Sequence, residues 1–287
     1  MHVIDGGLST ELTRLGATIG GELWTGKTLL DEPDLVRQAH ESFVRAGAEV
    51  VITSSYQLSR TGFLEVGLTA ADADRALRAS VSVARKAVAG TGAKVAASVG
   101  PFGAVLHDGS EYHGHYSVGQ SFLEDFHAER IDVLLQEGPD LLAIETIPNL
   151  VEARALKVVL NGLEIPRWIS FTSQSDENLW SGELVSDALQ EVAGLSNLVA
   201  IGFNCVDPAH VEKLVRKVKS LTSSKAIAYP NRGGHWDSTA CAWVGQEPKT
   251  LAEWFPQWTE AGLDYLGGCC GTDAIDIQEL SAAARVH

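Results

Sequence analysis

The chain is short of positive charge. Its 287 residues hold 22 Lys and Arg against 37 Asp and Glu, a formal net charge of −15. Nucleic acids and anionic membranes attract basic surfaces, so neither is expected as a partner. No uninterrupted apolar run approaches the roughly 20 residues that a membrane span needs. The N-terminus has no basic segment leading into an apolar one, so no signal peptide is read. Cysteine is sparse, at four residues. That is too few for a disulfide scaffold, and thiols kept reduced point to the cytoplasm. No Cys-x-x-Cys pair occurs, which argues against a zinc finger. No Gly-x-Gly-x-x-Gly opens the first helix, which argues against an open dinucleotide-binding sheet. Linkers and composition shifts are also missing, so residues 1–287 read as one domain. What remains, 45% hydrophobic and 21% charged, is ordinary for a globular protein with a large core.

What the chain does have is alternation. β-Branched or apolar runs at Val3-Ile4, Glu49 to Tyr56, Lys94 to Val99, Leu141 to Ile147, Arg167 to Thr172, Val199 to Cys205, Ala226 to Tyr229 and Leu263 to Leu266 read as strands. Between and after them, helical spacing recurs at Pro33–Ala46, Ala70–Ala89, Ser121–Glu137, Val151–Leu160, Leu184–Ala193, Pro208 to about Leu221, Leu251–Ala261 and on to Arg285. Gly47 is placed as a C-cap and Pro208 at a first helical position. Strands that alternate with helices imply a parallel sheet with right-handed crossovers. Eight such units in one domain favour a closed (β/α)8 TIM barrel.

In such a barrel the chemistry sits at the C-terminal ends of the strands. Those positions are Asp5-Gly6-Gly7, Thr53-Ser54-Ser55-Tyr56-Gln57, Gly100-Pro101, Glu145-Thr146, Ser173-Gln174, Asn204-Cys205, Tyr229-Pro230-Asn231 and Gly268-Cys269-Cys270. Only one strand separates Cys205 from the cysteine pair, so the three sulfurs can converge. Three thiolates leave zinc one open position, the pattern of catalytic sites, and soft thiolates select zinc over magnesium or calcium. Other readings stay open on spacing alone. The vicinal pair could be a disulfide or redox switch, and the glycines after the seventh and eighth strands could cradle a phosphate, as in a phosphate-binding lyase. Cys241 reads as a core residue. His113 and His115 read as solvated loop histidines, and Trp180 and Trp236 are placed near the barrel mouth. Glu145 stands out as a carboxylate ending an inner strand.

These blocks resemble the homocysteine S-methyltransferase family over essentially the whole chain. Asp5-Gly6-Gly7 with Thr10-Glu11-Leu12 is similar to its opening motif. Thr53 to Gln57, Gly100-Pro101 with Asp108 to Tyr112, Glu145-Thr146, Gly202 to Cys205, Tyr229-Pro230-Asn231 and Gly267 to Cys270 continue it in order. The resemblance implies that Cys205, Cys269 and Cys270 hold Zn2+ and that the homocysteine thiol becomes the fourth ligand. It implies that Asp5, Gly6 and Glu145, with Thr53 nearby, hold the amino acid end of homocysteine, and that Asn231 occupies the open zinc position before substrate arrives. The implied reaction moves a methyl group from a sulfonium, S-methylmethionine or S-adenosylmethionine, to homocysteine, giving methionine. Betaine as donor and selenocysteine as acceptor are the alternatives within the family. Trp24, Tyr56 and Tyr112 are candidates for an aromatic wall around a cationic donor. Two loops depart from the family pattern: Asn231 to His235 is bulkier and more basic, and Ser173 to Asp176 lacks the usual glycine. Both bear on which donor is used.

Overall fold

The computed structural model describes residues 1–20, 23–233, 235–237, 242–244 and 249–286, with only the backbone path for 235–237 and 242–244. The expectations for Cys241 and for the Trp236 side chain lie outside the described residues. Eight parallel strands form the sheet: β1 (His2–Val3), β2 (Val50–Ile52), β3 (Lys94–Val99), β4 (Leu141–Ile147), β5 (Arg167–Phe171), β6 (Leu198–Asn204), β7 (Ala226–Tyr229) and β10 (Tyr265–Leu266). Their order is β1-β10-β7-β6-β5-β4-β3-β2. The two edges meet at a parallel Ile4–Val50 bridge. There Glu49 N–H donates to Val3 O at 2.8 Å and Asp5 N–H to Val50 O at 3.1 Å, which turns the sheet into a nearly closed barrel.

Two apolar layers follow from the period of two along each strand. Inward-facing Ile4, Val50, Ala96, Leu141, Ala143, Trp168, Ala200, Ile227 and Tyr229 fill the barrel. The alternate residues, among them Val51, Val95, Leu142, Ile144, Ile169 and Phe203, pack against the surrounding helices. Gly202 is the narrowest point of this packing. A Cβ there would lie 1.7 Å from the Ile227 carbonyl oxygen, so only glycine lets β6 and β7 approach so closely.

The strand reading holds at β3, β4 and β7 to the residue and differs at β2, which ends at Ile52 rather than Tyr56. The side chains explain the early end. Thr53 Oγ1 accepts from Ser98 N–H at 3.0 Å and Ser55 Oγ donates to Ser98 O at 2.7 Å, so hydroxyls take over bonds a backbone ladder would make. Between β7 and the helix Leu251–Glu260 lies an antiparallel hairpin, β8 (His235–Asp237) paired with β9 (Ala242–Val244), where the sequence shows only a long connection. Four short helices, Leu8–Arg14, Thr25–Asp31, Arg60–Glu65 and Ser110–His113, also escape the periodicity reading because each is too short to show a face.

Candidate active site

All three predicted sulfurs meet. The ligand atoms of Cys205, Cys269 and Cys270 lie within 4.8 Å of one another, and Cys205 Sγ is 3.7 Å from Cys270 Sγ. All three cysteines are free thiols, so the pair is not joined as a disulfide. Cys205 reaches the cluster because its backbone leaves β6 in the left-handed region, at φ 50°. A non-glycine residue adopts this conformation at a cost of roughly 1–2 kcal/mol, and neighbouring bonds hold it. Cys205 N–H donates to Tyr229 O at 3.2 Å, and Asn231 N–H donates to Val206 O at 3.0 Å. On the other side Cys269 N–H donates to Pro230 O at 2.8 Å, and Arg232 N–H donates to Cys270 O at 2.9 Å. The loops after β6, β7 and β10 are therefore stitched to each other.

The two chain ends close the same loop from below. Gly7 N–H donates to Thr272 Oγ1 at 2.9 Å, Gly271 N–H to Thr10 Oγ1 at 3.1 Å, and Ala274 N–H to Glu11 Oε2 at 3.2 Å. Gly268 N–H is engaged by Asp5 O at 3.0 Å. These bonds bear on the phosphate alternative. A phosphate cradle needs backbone N–H groups aimed outward, whereas those of Gly268, Cys269, Gly271 and Arg232 already serve internal carbonyls or a hydroxyl.

The chemistry of the sulfur cluster fits a cation. Cys205 donates to the neighbouring sulfurs, and this, with burial, pushes its thiol well above the ordinary range. Cys270, accepting from Cys205 and Cys269, is held well below it. A half-buried cluster of three sulfurs carries several thiolates only beside a counter-charge, which a dication held there would supply. Four-coordinate tetrahedral sulfur ligation at about 2.3 Å from zinc sets neighbouring sulfurs about 3.8 Å apart, close to the 3.7 Å found here.

Around the sulfurs stands a ring of buried polar groups. Asp5 accepts from Ile52 N–H through Oδ2 at 2.7 Å, and its Oδ1 is buried without a partner. Burial pushes its carboxyl well above the ordinary range, with the Glu145 charge adding to the effect. Glu145 is 7% exposed, accepts from Ser98 Oγ, and is pushed up to about 7 by burial, the nearby Cys269 also raising it. Thr53 is buried and hydrogen-bonded to Ser55 at 2.7 Å. Gly6 packs so closely that a Cβ would meet the Phe43 ring at 2.9 Å. The Asn231 Oδ1 is buried and unpartnered, as are Ser54 Oγ, Gln57 Oε1, Glu111 Oε2 and Ser173 Oγ. Unsatisfied polar atoms concentrated at one barrel rim mark a place shaped for a polar ligand.

Several positioning residues were not singled out in the sequence. Asn204 accepts from Thr146 N–H at 2.8 Å and from Ser170 Oγ at 2.7 Å, and donates to Thr146 Oγ1 at 2.7 Å. It thereby holds Thr146 at φ 61° beside Glu145. Arg130 is buried and donates to Gly100 O at 3.0 Å, Ser55 O at 3.0 Å and Tyr56 O at 2.7 Å, tying together the loops after β2 and β3. Its signal was there to be read. His127 and Arg130 share the buried side of the helix Gln120–Gln136 with Leu123, Ile131 and Leu134, and charge on such a face demands a partner. Glu152 supplies one to the histidine, with Oε1 2.8 Å from His127 Nε2. His113 and His115 stand beside each other, ring centroids 5.0 Å apart, and are not part of the metal-competent group. Trp180 is 44% exposed on the loop after β5.

A (β/α)8 barrel with three thiols gathered at its C-terminal rim defines a class of enzyme whose site can accept a metal on sulfur. The family model for homocysteine S-methyltransferase matches residues 2–284. Homocysteine S-methyltransferase 1 of Arabidopsis thaliana is 39% identical, the alignment covering 97% of this chain and 92% of that protein. Homocysteine S-methyltransferase of Escherichia coli is also 39% identical, over 98% of this chain and 94% of that one. Among solved structures, the metallated form of the Escherichia coli homocysteine methyltransferase MmuM superposes with a TM-score of 0.88 at 37% identity, covering 98% of this chain and 96% of that one. Its apo form gives 0.79 at 32% identity, over 99% and 95%. The chain belongs to the homocysteine S-methyltransferase family.

Proposed function

We propose that this protein is a zinc-dependent homocysteine S-methyltransferase that takes its methyl group from a sulfonium such as S-methylmethionine. The observation that carries the reading is the meeting of Cys205, Cys269 and Cys270 within 4.8 Å. Zinc held by these three sulfurs would supply Lewis acidity, lowering the pKa of a fourth, incoming thiol from its usual value of about 8.5. Asn231, with its buried and unpartnered Oδ1, is the side chain we place at the remaining position before substrate arrives.

The chain's own residues do the rest. Asp5 and Glu145 are two buried carboxylates close enough to repel each other, and the ammonium group of homocysteine would relieve that repulsion. Gly6, packed against the Phe43 ring, offers its backbone at the Asp5 turn, and Thr53 lines the same wall. The homocysteine sulfur, as thiolate, attacks the donor methyl carbon in line; the carbon–sulfur bond of the sulfonium breaks and its electron pair leaves with a neutral thioether. Opposite charges partly cancel in that step, so a pocket with little water favours it. No side chain has to move a proton during transfer. The acceptor and donor are both small molecules, and free thiols at the site suit the reducing cytoplasm. No helix among the described residues is long and apolar enough to cross a membrane.

The test is a donor panel combined with metal analysis. Zinc is expected at about one per chain, falling to near zero in Cys205→Ser together with methionine formation. S-Methylmethionine is expected to outpace S-adenosylmethionine and betaine. A fully active metal-free enzyme, or a preference for betaine, would overturn the reading.

A further inference from the structure

An irregularity in β4 and the sulfur of Cys269 meet at one side chain, Asn204. From Ile144 to Ile147 β4 takes three steps, while its partner β5 takes two, from Ile169 to Phe171. The extra residue falls at Glu145-Thr146, where Thr146 turns to φ 61°. The Thr146 N–H donates to Asn204 Oδ1 at 2.8 Å rather than to a neighbouring strand. A bulge of this kind re-aims the side chain beside it, here that of Glu145. The other edge of the Asn204 amide reaches Thr146 Oγ1 at 2.7 Å and Cys269 Sγ at 4.0 Å.

The surrounding donors fix which edge faces the sulfur. A backbone N–H can only donate, so the atom that meets the Thr146 N–H is the amide oxygen. Ser170 Oγ, 2.7 Å from that oxygen, must donate to it as well. Ser170 then accepts from Tyr229 OH at 2.6 Å, and Tyr229 OH accepts from Trp168 Nε1 at 3.1 Å. What remains is the NH2 group, with one N–H for the Thr146 hydroxyl and one for the sulfur. Asn204, Thr146, Ser170, Tyr229 and Trp168 are all buried. With both its oxygen sites and both its N–H groups engaged away from water, the amide cannot turn without leaving a buried partner unpaired.

We propose that Asn204 sets the length of the acceptor: one planar amide fixes the separation between Cys269, at the thiol end of the substrate, and the bulge that aims Glu145 at its ammonium end. This rests on the homocysteine reading above and names what selects homocysteine from shorter thiols. Cysteine carries the same thiol and ammonium groups one methylene closer together, so it can engage either end but not both at once. Asn204 touches neither reacting atom and is a positioning residue, acting through Cys269 and Glu145.

Two variants cut the link at its opposite ends. Thr146→Ala removes the hydroxyl that accepts from the amide, and Asn204→Asp replaces the N–H facing the sulfur with an oxygen. Calorimetry of the zinc-loaded protein without donor gives the affinities for homocysteine and for cysteine. The wild type is expected to favour homocysteine by roughly 10- to 200-fold, the range one methylene commands. That ratio is expected to fall roughly tenfold in both variants, and Thr146→Ser, which keeps the hydroxyl, should restore it. Zinc content of Thr146→Ala should stay at about one per chain. Affinities that fall in parallel, leaving the ratio unchanged, overturn the proposal, since a merely structural residue would do that. Loss of zinc from Thr146→Ala also overturns it, because the network would then serve the metal alone. A wild type that binds homocysteine on zinc without preferring it to cysteine overturns this inference and leaves the homocysteine reading intact. A wild type that binds neither amino acid refutes that reading, and the inference fails with it.

Discussion

At the scale of single residues, the molecule separates polar groups that are buried for a ligand from those buried only for packing. Asp5, Glu111 and Asn231 each leave an unpartnered oxygen at the barrel rim. His40 is a different case. It is fully buried among the helices, neither ring nitrogen has a partner, and burial pushes its pKa down to about 4. A histidine with a depressed folded pKa stays neutral in the native state, while the unfolded chain protonates near its ordinary value of about 6.5. Its contribution to stability is thus constant above about pH 6.5 and declines as pH falls toward 4, by about 3 kcal/mol over the window. Replacing it with Leu should flatten the acid side of the stability profile between those limits. Urea titrations at pH 7 and pH 4.5 check this: the wild type should lose clearly more stability than His40→Leu between the two. The site residues were more legible than this one, because Cys205, Cys269 and Cys270 are chemically rare and stand at strand ends. His40 lies on an ordinary helical face, and only the packing of other helices over it removes its water.

At the scale of elements, the site depends on how closely strands approach. Gly202 brings β6 against β7, and the loop after β6 then carries Cys205 toward the pair that follows β10. Gly202→Ala is expected to part β6 from β7, since the backbone oxygen at 1.7 Å cannot move without breaking the ladder. A destabilisation of about 3 kcal/mol or more is expected from such overpacking, together with weakened zinc binding; denaturant unfolding and metal titration measure the two effects. Strand positions were legible from β-branched runs, and β3, β4 and β7 agree with them to the residue. The early end of β2 was not, because it follows from hydroxyl bonds to β3, a partner 43 to 45 positions away in no local pattern. The hairpin β8–β9 escaped for another reason: its three-residue strands are shorter than any alternation a sequence can display.

At the scale of the whole molecule, a metal at the rim would act as a clasp. The sulfurs come from loops after β6 and β10, and the β10 loop is itself bonded to the N-terminal turn through Gly7–Thr272 and Thr10–Gly271. A ligand that binds only the folded chain stabilises it by mass action, by about 4 kcal/mol at a thousandfold excess over Kd. Zinc loading is therefore expected to raise the unfolding midpoint by several degrees, since about 2–4 °C follows each kcal/mol in a chain of roughly this size. Calorimetry of zinc-loaded and chelator-treated protein checks it, and Cys205→Ser should show no difference between the two. The excess of acidic residues, a formal net charge of −15, is spread through a chain whose rim already holds two buried carboxylates, Asp5 and Glu145. The ammonium group of homocysteine suits that field.

The sequence by itself determined the alternation of strands and helices, and hence the barrel. Hydrophobic period and glycine and proline punctuation are local properties, and eight repeats of one unit leave few ways to close. It also determined which residues stand at the strand ends, Cys205, Cys269 and Cys270 among them, because those positions follow directly from the strands. Tertiary structure alone decided that the three sulfurs gather within 4.8 Å, that Asn204 and Arg130 hold the rim loops, and that the Glu111 Oε2 is left without a partner. Those facts are distances between groups far apart in the chain. A distance of that kind is set by how β6, β7 and β10 pack and by which backbone donors are already engaged, neither of which any local stretch of sequence encodes.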